Sequence, residues 1–223
     1  MLEHRTLSLA EQVFDRLETD ILSGKYQQGE LLTEMKLVSD LGVSRTPIRE
    51  ALRRLEQERI IEITLKGILI RGVTQKDLID ILSIRMRVEG LAAYEAAKNI
   101  TDEQLAQLLE LTELQRYYIN KQGNSRSENI KNLDSQFHEL LYRCSGSNAY
   151  TDVLMRIHKK MTKYRKASVS QHSRAQQSND EHMAIYQALA SHDPDAAEKA
   201  VLIHVDNAMK RMEHMEQTES AEN

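Results

Sequence analysis

At 223 residues the chain is long enough for one large domain or two small ones, and its 40% hydrophobic and 29% charged content excludes a disordered polymer. No apolar run approaches the roughly 18–20 residues that span a bilayer, and the opening "MLEHRTLSLAEQ" lacks a signal-like core, so a cytoplasmic location is expected. The single cysteine, Cys144, excludes an intrachain disulfide and a thiolate cage, and a net charge of −4 means that any nucleic-acid binding must come from a local patch.

Five of the eight glycines (Gly24, Gly29, Gly42, Gly67, Gly72) lie in the first third of the chain. That part is turn-rich, and we place a first domain at residues 1–73. "SLAEQVFDRLETDILSG" reads as a helix capped by Ser8, with Val13, Leu17 and Ile21 on one face and Gly24 as its stop. "LTEMKLVSDLG" is a short helix with Thr33 as cap and Gly42 as stop, and "VSRTPIREALRRLEQERI" follows almost at once. Two short helices joined by a tight glycine turn are the helix-turn-helix signature. "IIEITLKGILIRGVT" places β-branched residues on either side of Lys66-Gly67, a hairpin or wing.

The second domain, 74–215, is expected to be an all-α bundle of six or seven helices, with 216–223 a frayed polar tail. "TQKDLIDILSIRMRVEGLAAYEAAKN" makes a helix of about six or seven turns. "TDEQLAQLLELTELQRYYINK" follows with Thr101 as its cap. Further helices are expected around 130–144, 147–167 and 179–190, and a last one from 194 to 214 with Pro194 in its first turn. The polar stretch "SVSQHSRAQQSND" reads as an inter-helix loop over 168–180.

On the helix that starts near Ser44, Ile48, Leu52 and Leu55 form an apolar stripe, while Arg45, Arg49 and Arg53 recur every four residues on another face. Over 44–54, four arginines stand against Glu50, a local net charge of +3 in an acidic chain. Arginine can pair bidentately with guanine in the major groove, and Ser44, Thr46 and the free N–H groups of a helix start can hold phosphates. An arginine-rich solvated face would explain an isolated helix equally well, but the preceding helix, turn and hairpin favour DNA.

These residues carry a resemblance. "LGVSRTPIREALRRL", residues 41–55, matches the recognition core of the GntR family of bacterial transcription regulators almost letter for letter. The resemblance implies DNA contacts from Ser44, Arg45, Thr46, Arg49 and Arg53, with Gly67 of the wing against the minor groove. The chain departs from the pattern at Met35, where the family usually has a DNA-contacting arginine. It departs again at Glu58-Arg59, where the family usually has Glu-Gly; this suggests a less constrained backbone and one more positive charge.

Downstream, "IRMRVEGLAAYEAA", "DSQFHELLYRCSGSNAY" and "DEHMAIYQALASHDPDAAEKAVLIH" resemble the helical effector domain of the FadR-like subgroup, called FCD. Asp134 and His138 alone could be metal ligands, a catalytic pair or a buried polar contact. At about 100° per residue both flank the stripe of Leu133, Phe137, Leu140 and Leu141; His182 aligns with Ile185 and Leu189, and His204 with Ala197, Val201 and Ala208. The resemblance implies that these four residues bind a divalent metal, with Arg85 holding a small carboxylate effector. Imidazole suits Zn or Ni, and the carboxylate also admits Mn or Fe. Arg85 could instead form a surface ion pair with Glu89. Among the other histidines, His158 competes, lying beside Ile157 and four residues after Leu154, whereas His172 and His192 fall in polar breaks.

The expected function is a ligand-responsive, DNA-binding regulator, in the sense of a repressor, that acts as a homodimer on a pseudo-palindromic operator. A pure metal sensor is the neighbouring alternative. A metal-dependent hydrolase is less favoured, since neither HExxH nor G-x-S-x-G occurs.

Overall fold

A computed structural model of the chain describes residues 8–121, 126–161 and 172–221. These residues form two compact units that divide between Gln75 and Lys76. Among the described residues no helix is long and apolar enough to cross a membrane.

The first unit contains α1 (Leu9–Leu22), β1 (Leu31–Leu32), α2 (Glu34–Leu41), α3 (Arg45–Gln57), β2 (Ile61–Thr64) and β3 (Gly67–Ile70). The helix starts follow the sequence signals: the Ser8 side chain accepts from Glu11 N–H, and Thr33 accepts from Lys36 N–H. Gly42 closes α2 in the left-handed conformation at φ 67°, which turns the chain into α3 within a few residues. Val13, Phe14 and Leu17 of α1 pack with Leu37 of α2 and with Ile48, Leu52 and Leu55 of α3 in one core.

The wing is a three-stranded antiparallel sheet rather than a lone hairpin, in the order β1-β3-β2. β1 pairs Leu31 with Leu69 and Leu32 with Ile68. A strand of two residues leaves too short a pattern to read from the sequence. It explains Gly67, whose φ is +137° and where a Cβ would lie 2.7 Å from the Leu32 carbonyl oxygen. The expected loosening at Glu58-Arg59 takes a different form, because Arg59 itself adopts the left-handed φ of 60°. Its N–H donates to the Glu56 carbonyl, and the next residue, Ile60, returns to the core.

The second unit contains α4 (Gln75–Asn99), α5 (Asp102–Asn120), α6 (Arg126–Cys144), α7 (Asn148–Lys160), α8 (His172–Ala190) and α9 (Pro194–Ala221). Thr101 caps α5 in a reciprocal capping box whose partner is Gln104. Ala92, Ala93, Ala96 and Ala97 of α4 join Phe137, Leu141, Ile185, Leu189, Val201 and Val205 in the core.

Two expectations are corrected in this unit. Residues 172–180 are helical rather than loop, because the inward face of early α8 is small or polar: Ala175, Ser178 and Asn179 are buried within the two turns ahead of His182, and the rest of the expected loop, 168–171, lies outside the described residues. An apolar-periodicity reading is blind to such a stripe. The tail read as frayed from 216 continues α9 as far as Ala221. The end of the helix expected over 147–167 lies outside the described residues.

Candidate DNA-reading face and metal centre

Ser44 occupies the N-cap of α3 but makes no side-chain capping bond, and it is exposed together with Arg45 and Thr46. Pro47 and Ile48 are buried beneath them and fix the helix entry. The first turn of α3 therefore presents side chains and backbone N–H groups outward while its other face is locked in the core.

Two of the arginines are held by the first turn of α2. Arg49 Nε donates to both carboxylate oxygens of Glu34 at 3.0 Å, and Arg45 Nη2 donates to Met35 Sδ at 3.0 Å. The hydrogen bond that Arg49 donates to Glu34 raises the pKa of Arg49 above its ordinary value. Both members of that ion pair are substantially solvated, so it is weak enough to be exchanged for a DNA contact. Arg53 is exposed farther along the helix, whereas Arg54 turns away and lies over the Phe14 ring at 4.0 Å. Gly67 is half-buried beside the tip residues Leu65 and Lys66, both exposed. Met35 is 57% exposed, so the departure from the family pattern sits on the surface beside Arg45.

In the second unit the sequence-derived residues are all buried; the three histidines converge, and Asp134 lies beside His182 outside that trio. His138 and Asp134 come from α6, His182 from α8 and His204 from α9, each at most 5% exposed. The three imidazole centroids form a nearly equilateral triangle with sides of 5.0, 5.1 and 5.0 Å. One ring nitrogen from each lies within 4.8 Å of the others. His138 Nε2 and His182 Nε2 are 3.3 Å apart, and Asp134 Oδ1 lies 3.7 Å from His182 Nε2. Phe137 stacks on the His182 ring at 4.1 Å and fixes its plane.

Each ring is also held from behind at Nδ1. His138 Nδ1 is 2.8 Å from Glu89 Oε1, His182 Nδ1 is 3.2 Å from Gln115 Oε1, and His204 Nδ1 is 2.8 Å from Glu181 Oε2. Carboxylates are acceptors only, so Nδ1 carries the proton in His138 and His204. Gln115 presents its oxygen to His182 because its amide is ordered by others: Nε2 donates to the Ile130 carbonyl, and Oε1 also accepts from Asn179 Nδ2 at 3.1 Å. With Nδ1 so occupied, the lone pair of each ring sits on Nε2; at His138 that nitrogen also has Arg85 Nη2 at 3.2 Å. Glu89 was named from the sequence only as an ion-pair partner for Arg85, and Gln115 and Glu181 were not singled out. The signals were present, since Gln115 interrupts the buried series Leu108, Thr112, Ile119 and Glu181 directly precedes His182.

Arg85 forms an ion pair with Glu89, but a buried one, not the surface pair considered from the sequence. Burial works against its charge, and Glu89 more than offsets this, holding its pKa well above the ordinary value. Arg85 Nη2 also lies 3.2 Å from both ring nitrogens of His138. His158 approaches His138, with centroids 5.9 Å apart, yet is outside the trio whose nitrogens converge. His192 is spent elsewhere, its Nδ1 2.9 Å from the Ala97 carbonyl oxygen at the α8–α9 turn.

A winged helix-turn-helix followed by an all-helical unit with a buried polar centre defines a two-domain regulator architecture. Family comparison agrees: residues 9–67 match the model for bacterial regulatory proteins of the gntR family, and residues 80–207 match the FCD domain. The chain is 30% identical over 207 residues to the uncharacterized HTH-type transcriptional regulator YdhC of Bacillus subtilis (strain 168), covering 92% of this chain and 91% of that protein. It is 26% identical over 216 residues to the HTH-type transcriptional repressor RspR of Escherichia coli (strain K12), covering 96% and 93% of the two chains. The solved structure of E. coli McbR/YncC shares the fold with a TM-score of 0.78 at 22% identity, over 94% of this chain and 99% of that one. The chain belongs to the gntR family of bacterial regulatory proteins and carries an FCD domain. It is a DNA-binding transcription regulator, in a family of regulators rather than enzymes.

Proposed function

We propose that the helical unit holds one divalent metal ion on His138, His182 and His204 with Asp134 as a fourth ligand, and that this centre makes DNA binding responsive to a small molecule. The carrying observation is the convergence of imidazole nitrogens whose opposite nitrogens are already committed as donors. Acceptors facing one another in a buried space need a cation or a proton between them. Two nitrogens each about 2.0–2.1 Å from one ion come within about 3–3.4 Å of each other; the separation of His138 Nε2 and His182 Nε2 is 3.3 Å. The charges also suit a dication: Glu89, Asp134 and Glu181 contribute three negative charges and Arg85 one positive.

Nitrogen-rich donors with one carboxylate suit Zn, Ni, Mn or Fe. An octahedral ion on four protein ligands has two further positions, which a carboxylate effector and water can fill. Working in the cytoplasm as a homodimer, the chain would set two α3 helices into the major groove of a pseudo-palindromic operator, and effector binding would change operator affinity.

One observation favours the neighbouring reading, in which the metal is itself the signal. The Arg85 charge is already met by Glu89, so an effector carboxylate must share or displace that partner. Operator titrations with metal-loaded and chelated protein, each with and without a panel of small carboxylates, separate the two. A carboxylate response confined to loaded protein supports the effector reading, and a response to metal alone supports the sensor. Operator affinity indifferent to both overturns the proposal.

A further inference from the structure

We infer that Glu181 is a positioning residue that sets the tautomer of His204, and so decides whether His204 offers the metal a lone pair or an N–H; this rests on the metal reading above. Glu181 lies on α8 directly before His182, and its side chain reaches across to α9. There it bridges two residues three apart on that helix: Oε2 lies 2.8 Å from His204 Nδ1, and Oε1 accepts from Asn207 Nδ2 at 2.8 Å. The side chain is 10% exposed, so water replaces these partners poorly.

A carboxylate can only accept, and both of its partners must therefore donate. His204 is held with its proton on Nδ1, which leaves the lone pair on Nε2, in a ring whose centroid lies 5.1 Å from that of His138 and 5.0 Å from that of His182. The bridge makes this orientation depend on hydrogen-bond polarity rather than on shape. In Glu181→Gln the new amide is nearly isosteric, and with Asn207 donating as it does in the wild-type chain the oxygen end stays with Asn207. The NH2 end then faces His204, donates to Nδ1, and forces the proton onto Nε2, where it blocks the metal. Adding Asn207→Asp reverses the polarity: the new carboxylate accepts from the amide NH2, the amide oxygen turns back to His204, and the original tautomer returns.

Zinc affinity measured by chelator competition tests this on the full-length chain. Loss of a group that orients a metal-bound imidazole weakens binding about 10–100-fold. E181Q is expected to show that loss, and E181Q/N207D to recover most of it, although a merely structural role for Glu181 would be worsened by the second change. Equal affinity in wild type and E181Q overturns the inference and leaves the metal reading standing, as does a loss that the double variant fails to recover. A wild-type chain that binds no zinc overturns the metal reading itself. Nitrogen-15 NMR of His204 in the zinc-loaded wild-type chain gives an arm that needs no variant: a proton on Nδ1 is expected, and an Nδ1 without a proton there overturns the inference.

Discussion

The two units place function in opposite ways. In the N-terminal unit Ser44, Arg45, Thr46, Arg49 and Arg53 are exposed and lie within one helix and its cap, and the core behind them serves only to hold that helix. In the C-terminal unit Asp134, His138, His182 and His204 are buried and come from three helices, and the histidines are oriented by polar groups from α4, α5 and α8. A surface reader can be specified by a contiguous motif. A buried polar centre must be specified by residues that are individually ordinary and far apart in sequence.

The largest expected effect exploits the centre's place inside a core. Phe137 is 1% exposed and stacks on His182, so Phe137→Ala removes both packing and the wall that fixes the imidazole. Such a change costs about 3–5 kcal/mol. Hydrogen exchange should show that loss in the helical unit, with protection in the N-terminal unit unchanged; a uniform loss across both would break the contrast between them.

At the DNA face no core is disturbed. Arg45→Ala and Arg49→Ala should leave thermal stability near wild type while costing about 1–3 kcal/mol of operator affinity each. Fluorescence anisotropy across several salt concentrations measures this, and unchanged affinity in both variants would remove α3 as the reader. Replacing Glu34, the partner of Arg49, should cost far less stability than replacing a core residue, because the pair is solvated.

The smallest effect concerns the strained residue ahead of the wing. Arg59 holds φ at 60°, a conformation costing a non-glycine residue about 1–2 kcal/mol. Arg59→Gly relieves this but makes the unfolded chain more disordered, so more entropy is lost on folding, for a net gain of about 1 kcal/mol or less in urea unfolding. A destabilised variant would mean that the arginine side chain holds the turn.

How much could be read from the sequence follows the same division. Ser8, Thr33 and Gly42 act where local chemistry places them, and the recognition helix is legible because capping, turn and apolar spacing coincide at 42–55. Of the centre, the four residues expected as ligands were legible only together, through their inward registers and the family likeness. The anchors Glu89, Gln115 and Glu181 escaped because their partners lie tens of residues away, and no local pattern marks a hydrogen bond between helices. The early turns of α8 escaped for a related reason: Asn179 is buried in the polar network around Gln115 and Ser178 is buried beside it in sequence, so the inward face carries no apolar period.

The regulatory proposal stands on metal binding by the buried imidazoles. Elemental analysis of purified wild-type chain beside His138→Ala measures it. Close to one divalent metal ion per wild-type chain and little in the variant is expected; equal metal content in the two, or none in wild type after incubation with Zn or Ni, would rule the metal centre out.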